Sequence, residues 1–298
     1  MQASKKNLVY VDDEGPKALI AAEITFYFNT TENREGLIAA YDVAMKRIGD
    51  HVRWYRTEAM SQSRKMSGEV REFLSVWFKA GTKLRKEYEL TLTSDADPDL
   101  CQPWGLRFGL EPALLPEGDS GFLQVNLPME VVAEDPGAFL ALALDMGGLI
   151  GFRSGHAGYG VQYDEGDLDD ERDERIGAWC RRYLCVDYRD FAASCEFMGS
   201  NIKGVGWLTF LDKDFAKQVG GIAGIKKKLP AGALVRELAN GLAIQAGAEP
   251  ILGDKNCREN IDNYKAIFRL VEPVVVQEDL ALPGFEDDGS IEWVNRFA

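Results

Sequence analysis

The amino-acid sequence predicts an α+β fold: a mixed, largely antiparallel sheet with packed helices, compact and with room for two lobes. Three observations predict it. Helical and strand-like patterns interleave, but without the regular strand–helix–strand period of a doubly wound sheet. Hairpin signals are frequent, the strongest being Asn240-Gly241 between two apolar stretches. No fixed-period repeat and no low-complexity linker divides the 298 residues. The chain therefore reads as a single module over 1–298, and 94–103 and 163–170 are the best places for a seam between lobes.

The elements follow in order. Residues 18–28, rich in aromatic and β-branched side chains, predict a strand. Leu37, Ile38, Tyr41, Met45 and Ile48 line one face of a helix over 34–48. Val70, Phe73, Leu74, Trp77 and Phe78 mark a second helix over 68–79, and alternation at Tyr88, Leu90 and Leu92 a strand over 84–93. Further strands are expected near 104–110 and 121–127. Asp135-Pro136 starts a helix, with Asp as cap and Pro at the first position, and Gly147-Gly148 should stop it. Residues 156–163 predict a strand entered through glycines. Ile176, Trp179, Cys180, Tyr183 and Leu184 repeat at helical spacing, and 202–211 read as a strand opening with Gly204 and Gly206. Short helices are expected over 213–219 and 222–228. The hairpin strands are 233–238 and 242–246. A helix carrying Tyr264, Ile267, Phe268 and Val271 is ended by Pro273, and a short helix occupies the tail, 290–297.

Composition narrows the function. The net charge is −14, which argues against a binder of nucleic acid or of anionic membrane, since both need a basic face. With only two histidines, His51 and His156, histidine triads and histidine-based metal sites have almost nothing to draw on. Five cysteines, an odd number without a CxxC, suit thiols in a reducing cytoplasm. The N-terminal residues show no apolar signal-peptide core, and the longest clean apolar run, 138–144, is far short of the ~20 residues of a membrane helix. The expectation is a soluble cytoplasmic protein.

The acidity is concentrated. Residues 95–174 carry 18 acids and three basic residues, while the rest is close to neutral. The densest stretch holds Asp164, Glu165, Asp167, Asp169, Asp170, Glu171, Asp173 and Glu174. Part of it has a local explanation, because acids favour the first turn of a helix and Arg181 and Arg182 suit its end. One helix start needs two or three acids, not eight. The remainder points to a negative surface that meets a cationic partner. A calcium loop is rejected, since neither register puts Gly at position six and Glu at position twelve.

Motifs for catalysis are sparse. Gly151-Phe-Arg-Ser-Gly155 has its serine one place late for a nucleophile elbow. Gly155-His-Ala-Gly158-Tyr-Gly160 reverses the dinucleotide fingerprint and suits close backbone packing. No Walker A sequence occurs, and Lys226-Lys227-Lys228 suits a helix end. With 48 acids, any chosen carboxylate pair is uninformative.

The C-terminal third carries an ordered set of motifs. It runs Ile202-Lys-Gly204-Val-Gly206-Trp207, then Gly247-Ala-Glu-Pro250-Ile-Leu-Gly253-Asp254-Lys-Asn256, then Tyr264 and Leu270-Val-Glu-Pro273. Asp50-His-Val-Arg-Trp54-Tyr-Arg56 and the glycines at 155–160 precede it. This set, over roughly 18–276, resembles the type VI secretion immunity family associated with VRR-Nuc nuclease effectors. Where that family often has Asn before the tryptophan, this chain has Gly206. The resemblance implies a protein that binds and neutralises a cognate nuclease toxin, with no catalytic residue, cofactor or metal. Trp54, Gly204, Trp207, Gly247, Pro250, Gly253, Asp254, Asn256 and Tyr264 are expected to maintain the fold, through turns, core packing and caps. The eight acids at 164–174 are the expected partner contact, steering a basic nuclease surface. Two other readings stay open: a carboxylate-based hydrolase, and a chaperone or adaptor that loads an effector for secretion.

Overall fold

The structure, a computed structural model, describes residues 8–67, 71–95, 100–163, 169–286 and 289–298. It is an α+β fold. The strands are β1 (Val9–Val11), β2 (Pro16–Phe28), β3 (Trp54–Thr57), β4 (Arg64–Lys65), β5 (Tyr88–Thr93), β6 (Gly105–Leu110), β7 (Gly121–Leu127), β8 (Ser154–Tyr163), β9 (Val186–Tyr188), β10 (Leu208–Asp212), β11 (Leu234–Leu238) and β12 (Gly241–Gln245). The helices are α1 (Arg34–Ile48), α2 (Phe73–Trp77), α3 (Met129–Glu134), α4 (Pro136–Leu149), α5 (Asp170–Arg182), α6 (Phe191–Phe197), α7 (Lys213–Gln218), α8 (Gly221–Lys228), α9 (Asp262–Val271) and α10 (Gly289–Val294).

These twelve strands belong to one sheet; ten run in the order β11-β12-β10-β8-β2-β7-β6-β5-β3-β4, with β1 paired to β2 and β9 to β8 off this path. Among the described strand pairs, only β8 and β9 run parallel. The long strands β2 and β8 form its spine. On one side of β8, β10 pairs with residues 154–157 and β9 with 159–161. The edges are blunted against further pairing. β4 is two basic residues long, and β11 carries Arg236 and Glu237.

Side chains on one face of β2 build the main core. Phe26 packs on Phe152 and Phe210, Phe28 on Phe108, and Phe108 on Trp77 and Phe78. Asn33 and Asp135 cap α1 and α4, accepting the Gly36 and Ala138 N–H groups.

Helix α1 and strand β7 have the bounds that periodicity predicts. Elsewhere tertiary packing moves them. The expected 68–79 helix is confined to Phe73–Trp77, and Val70 lies outside the described residues. Helix α4 runs through Gly147-Gly148, because Gly147 lets the helix approach Phe26 and Phe210 closely; a Cβ there would sit 3.0 Å from the Phe210 ring. Pairing of β10 begins at Leu208, not at residue 202; Gly204, at φ +154°, breaks the extended run, and Ile202 bridges Val275. The β11–β12 turn is Ala239-Asn240, and no residue in it has positive φ. Gly241 is required for space, since a Cβ would sit 2.1 Å from the Leu211 carbonyl oxygen. Short elements such as β3, β9, α3 and α6 carry too few residues for a periodic signal.

Candidate functional site

Helix α5 organises the described part of the acidic stretch. Asp169 is its cap and accepts the Arg172 N–H at 2.9 Å. Asp170 and Glu174 are exposed; Glu171 is also exposed and stands beside the Tyr10 hydroxyl. Asp173 turns inward and binds the buried Arg172 guanidinium at 3.0 Å; burial pushes its carboxyl up, against the pull of that arginine. The acidic run thus divides between helix formation and an outer face. Asp164, Glu165 and Asp167 lie outside the described residues. The far end of α5 is fixed by a bidentate pair from Arg182 to Asp254, at 3.0 and 2.9 Å.

A second cluster, unforeseen in the sequence, lies under the middle of the sheet. Glu23 of β2 is fully buried. Its Oε2 accepts Nε2–H bonds from Gln124 and Gln162, both at 2.8 Å, and its Oε1 lies 3.1 Å from His156 Nε2. Asp187 Oδ2 is 3.4 Å from the same imidazole nitrogen and accepts from the Lys203 ammonium at 2.8 Å. Lys203 also donates to the Tyr188 carbonyl, and Arg189 donates to Gln162 Oε1 at 2.8 Å. Burial opposes charge on His156, but Asp187 and Glu23 outweigh it and raise the imidazole to about 9. Lys203 and His156 hold the Asp187 carboxyl well below the usual carboxylate range despite burial. Gly160 makes room for the cluster, since a Cβ there would sit 2.2 Å from the Glu23 carboxyl carbon. The sequence signal was a charged residue in the middle of an otherwise apolar strand.

Glu23, His156 and Asp187 each offer a ligand atom within 4.8 Å of the others, a spacing compatible with a divalent cation. The donor set favours a different reading. Two carboxylates are balanced by one ammonium and one imidazolium, and both Glu23 oxygens are already engaged. The arrangement is an ion network in which Glu23, Asp187, His156 and Lys203 each have an opposite charge and a hydrogen bond.

This network is part of a polar row that crosses the sheet. Arg56, Thr91, Arg107, Gln124, Thr25, His156 and Thr209 lie in register on β3, β5, β6, β7, β2, β8 and β10. From β7 to β10 the row is buried. From β3 to β6 it is less covered: Thr91 is buried, but Arg56 and Arg107 on either side of it are half-buried and the neighbouring Glu89 is exposed, while Leu90, Leu106 and Phe108 on the opposite face are fully buried.

The motif residues of the C-terminal third sit mostly in the framework. Trp207 is buried, stacks on Phe139 at 5.7 Å and donates its Nε1–H to the Gly247 carbonyl. Gly253 has φ +69°, and a Cβ there would meet Cys185 Sγ at 2.7 Å. Asp254 binds Arg182 and caps a 3-10 turn by accepting the Asn256 N–H. Pro250 and Tyr264 are buried, and Asn256 is exposed. Trp54 is half-buried on β3, opposite Thr93. Gly204 lies between α6 and β10. A side chain at Gly206 would press to 3.0 Å from the Leu208 carbonyl and 3.1 Å from His156 Cβ, so this position has little space for a larger residue. Among the described residues no disulfide forms, and burial pushes the Cys180 and Cys185 thiols up to about 12.

The sequence profile of the family described as "Type VI immunity for VRR-NUC" matches residues 36–297. The chain belongs to this immunity family. Its fold is shared with the solved structure titled "Pseudomonas aeruginosa T6SS protein PA0821". That similarity has a TM-score of 0.81 and 19% identity, and covers 97% of this chain and 87% of the other. No protein of curated function matches the chain. Among the described residues no helix is long and apolar enough to cross a membrane. This chain's motif residues therefore coincide with turns, caps and the tryptophan core, while the outer face of α5 lies apart from them.

Proposed function

We propose that this protein binds and neutralises a VRR-NUC nuclease toxin in the cytoplasm, without catalysis of its own, and that the outer face of α5 steers the encounter. The observation that carries the reading is a rigidly capped helix in an immunity-family protein that turns Asp170, Glu171 and Glu174 outward, at the end of the chain's most acidic stretch. A nuclease must hold a polyanion, so its substrate surface is basic. An acidic face opposite it accelerates association, and the gain fades with salt. The acids at 164, 165 and 167 belong to the same proposed contact.

The test is DNA cleavage by a purified VRR-NUC nuclease domain, titrated with the full chain. Inhibition saturating at one-to-one is expected. Asp170→Lys with Glu174→Lys should slow association about tenfold at low salt and much less at high salt. Cleavage unaffected at any ratio would remove the neutralising role. Wild-type association rates in the double variant would remove α5 from the contact.

A further inference from the structure

We propose that the groove over the open face of β5–β7 receives a projecting segment of the toxin rich in lysine and arginine, extending the contact beyond α5. This rests on the immunity reading above. The groove holds about 740 Å³ between the sheet and α6. One wall is aromatic: the half-buried Phe122 ring stacks on Phe191 at 3.7 Å and covers Gly109, where a Cβ would come within 2.4 Å of it. Four exposed carboxylates, Glu87, Glu89, Glu111 and Glu196, line the groove, and none of them is in an ion pair among the described residues.

The charges separate along the strands. Glu89, Gly109 and Phe122 share one cross-strand row. Two residues further along each strand, the next row on that face is Arg56, Thr91 and Arg107, so carboxylates gather at one end and guanidinium groups at the other. Arg107 reaches the Tyr163 carbonyl at 3.4 Å, and the Arg172 guanidinium of α5 lies over the Tyr163 ring at 5.2 Å, so the groove adjoins the start of α5. The acidic end suits long cationic side chains. Their aliphatic stems cover the Phe122 ring while their heads reach the carboxylates. A nuclease surface built to hold phosphates supplies such side chains.

The experiment measures binding of the full chain to a VRR-NUC nuclease domain that the wild type inhibits. One variant combines Glu89→Lys, Glu111→Lys and Glu196→Lys. A second, Ala192→Trp, obstructs the groove from an exposed position on α6 without changing charge. Both should melt like the wild type and bind at least about tenfold more weakly, with faster dissociation. Unchanged affinity in both, with the α5 variant still impaired, would overturn the groove and leave the immunity reading standing. Wild-type protein that bound no VRR-NUC domain would remove both together. A groove variant that changed the sedimentation of the protein alone would assign the groove to a second copy and overturn the proposal.

Discussion

The sheet handles the same polar row in opposite ways at its two ends. At β2 and β8 both faces are covered, and the row contributes Gln124 and His156 to a network with Glu23, Asp187 and Lys203. At β3, β5 and β6 one face is open, and Arg56 and Arg107 reach a groove. Burial removes water as a partner, so every charge in the covered half must be matched inside the protein. In the open half water and a partner can compete for the same groups. Charge in the first half therefore sets stability, and charge in the second is available for recognition.

The strongest way to break this contrast is Lys203→Met. It leaves Asp187 without its ammonium partner, with His156 and the Arg296 guanidinium as the remaining positive groups near it, and should cost about 3–5 kcal/mol in urea unfolding. A loss under 1 kcal/mol would show that the covered half does not depend on charge closure. The next test is pH. His156 is raised from 6.5 to about 9 in the folded protein, so its contribution is fully present below the unfolded value. That contribution disappears as pH rises through the folded value. Unfolding free energy should fall between pH 6.5 and 9 by up to about 3 kcal/mol, a drop absent in His156→Gln. The depressed Asp187 carboxyl acts on the acid side. Its contribution is present above the ordinary 3.8 and is lost as pH falls through its lower folded value.

Smaller effects sharpen the comparison. Arg182→Ala removes a bidentate pair whose arginine is 36% exposed, so solvent screening limits the cost to about 1 kcal/mol. Glu89→Lys with Glu111→Lys, on the open half, should change stability by no more than about 0.5 kcal/mol. A larger change would show that those acids serve the fold.

How much of this was legible in the sequence follows from the range of each interaction. Helix α1, strand β7 and the start of α5 depend on local periodicity, caps and the macrodipole, and the sequence carries them openly. The acidic face was visible as composition, but the inward turn of Asp173 depends on where Arg172 lands. The ion network was not legible as a unit. Its members come from β2, β7, β8, β9 and the segment before β10, and only strand register brings them together. Glu23 alone was an anomaly that could have been flagged. Gly241 read as a turn signal, whereas it answers to the Leu211 carbonyl on the neighbouring strand; Gly160, read as close packing, does make room for the Glu23 carboxyl.

Helix α5 is held at both ends. Asp169 caps its start, and Arg182 binds Asp254 at its finish while the Leu184 and Cys185 N–H groups donate to the Gly253 and Leu252 carbonyls. A partner that lands on this helix meets side chains whose backbone is already ordered, so little conformational entropy is lost on contact. The exposed positions 170 and 174 can then change identity without disturbing either anchor. On the proposed contact, partner choice would be retuned by substituting a few outward residues, while the stem beneath them keeps its geometry.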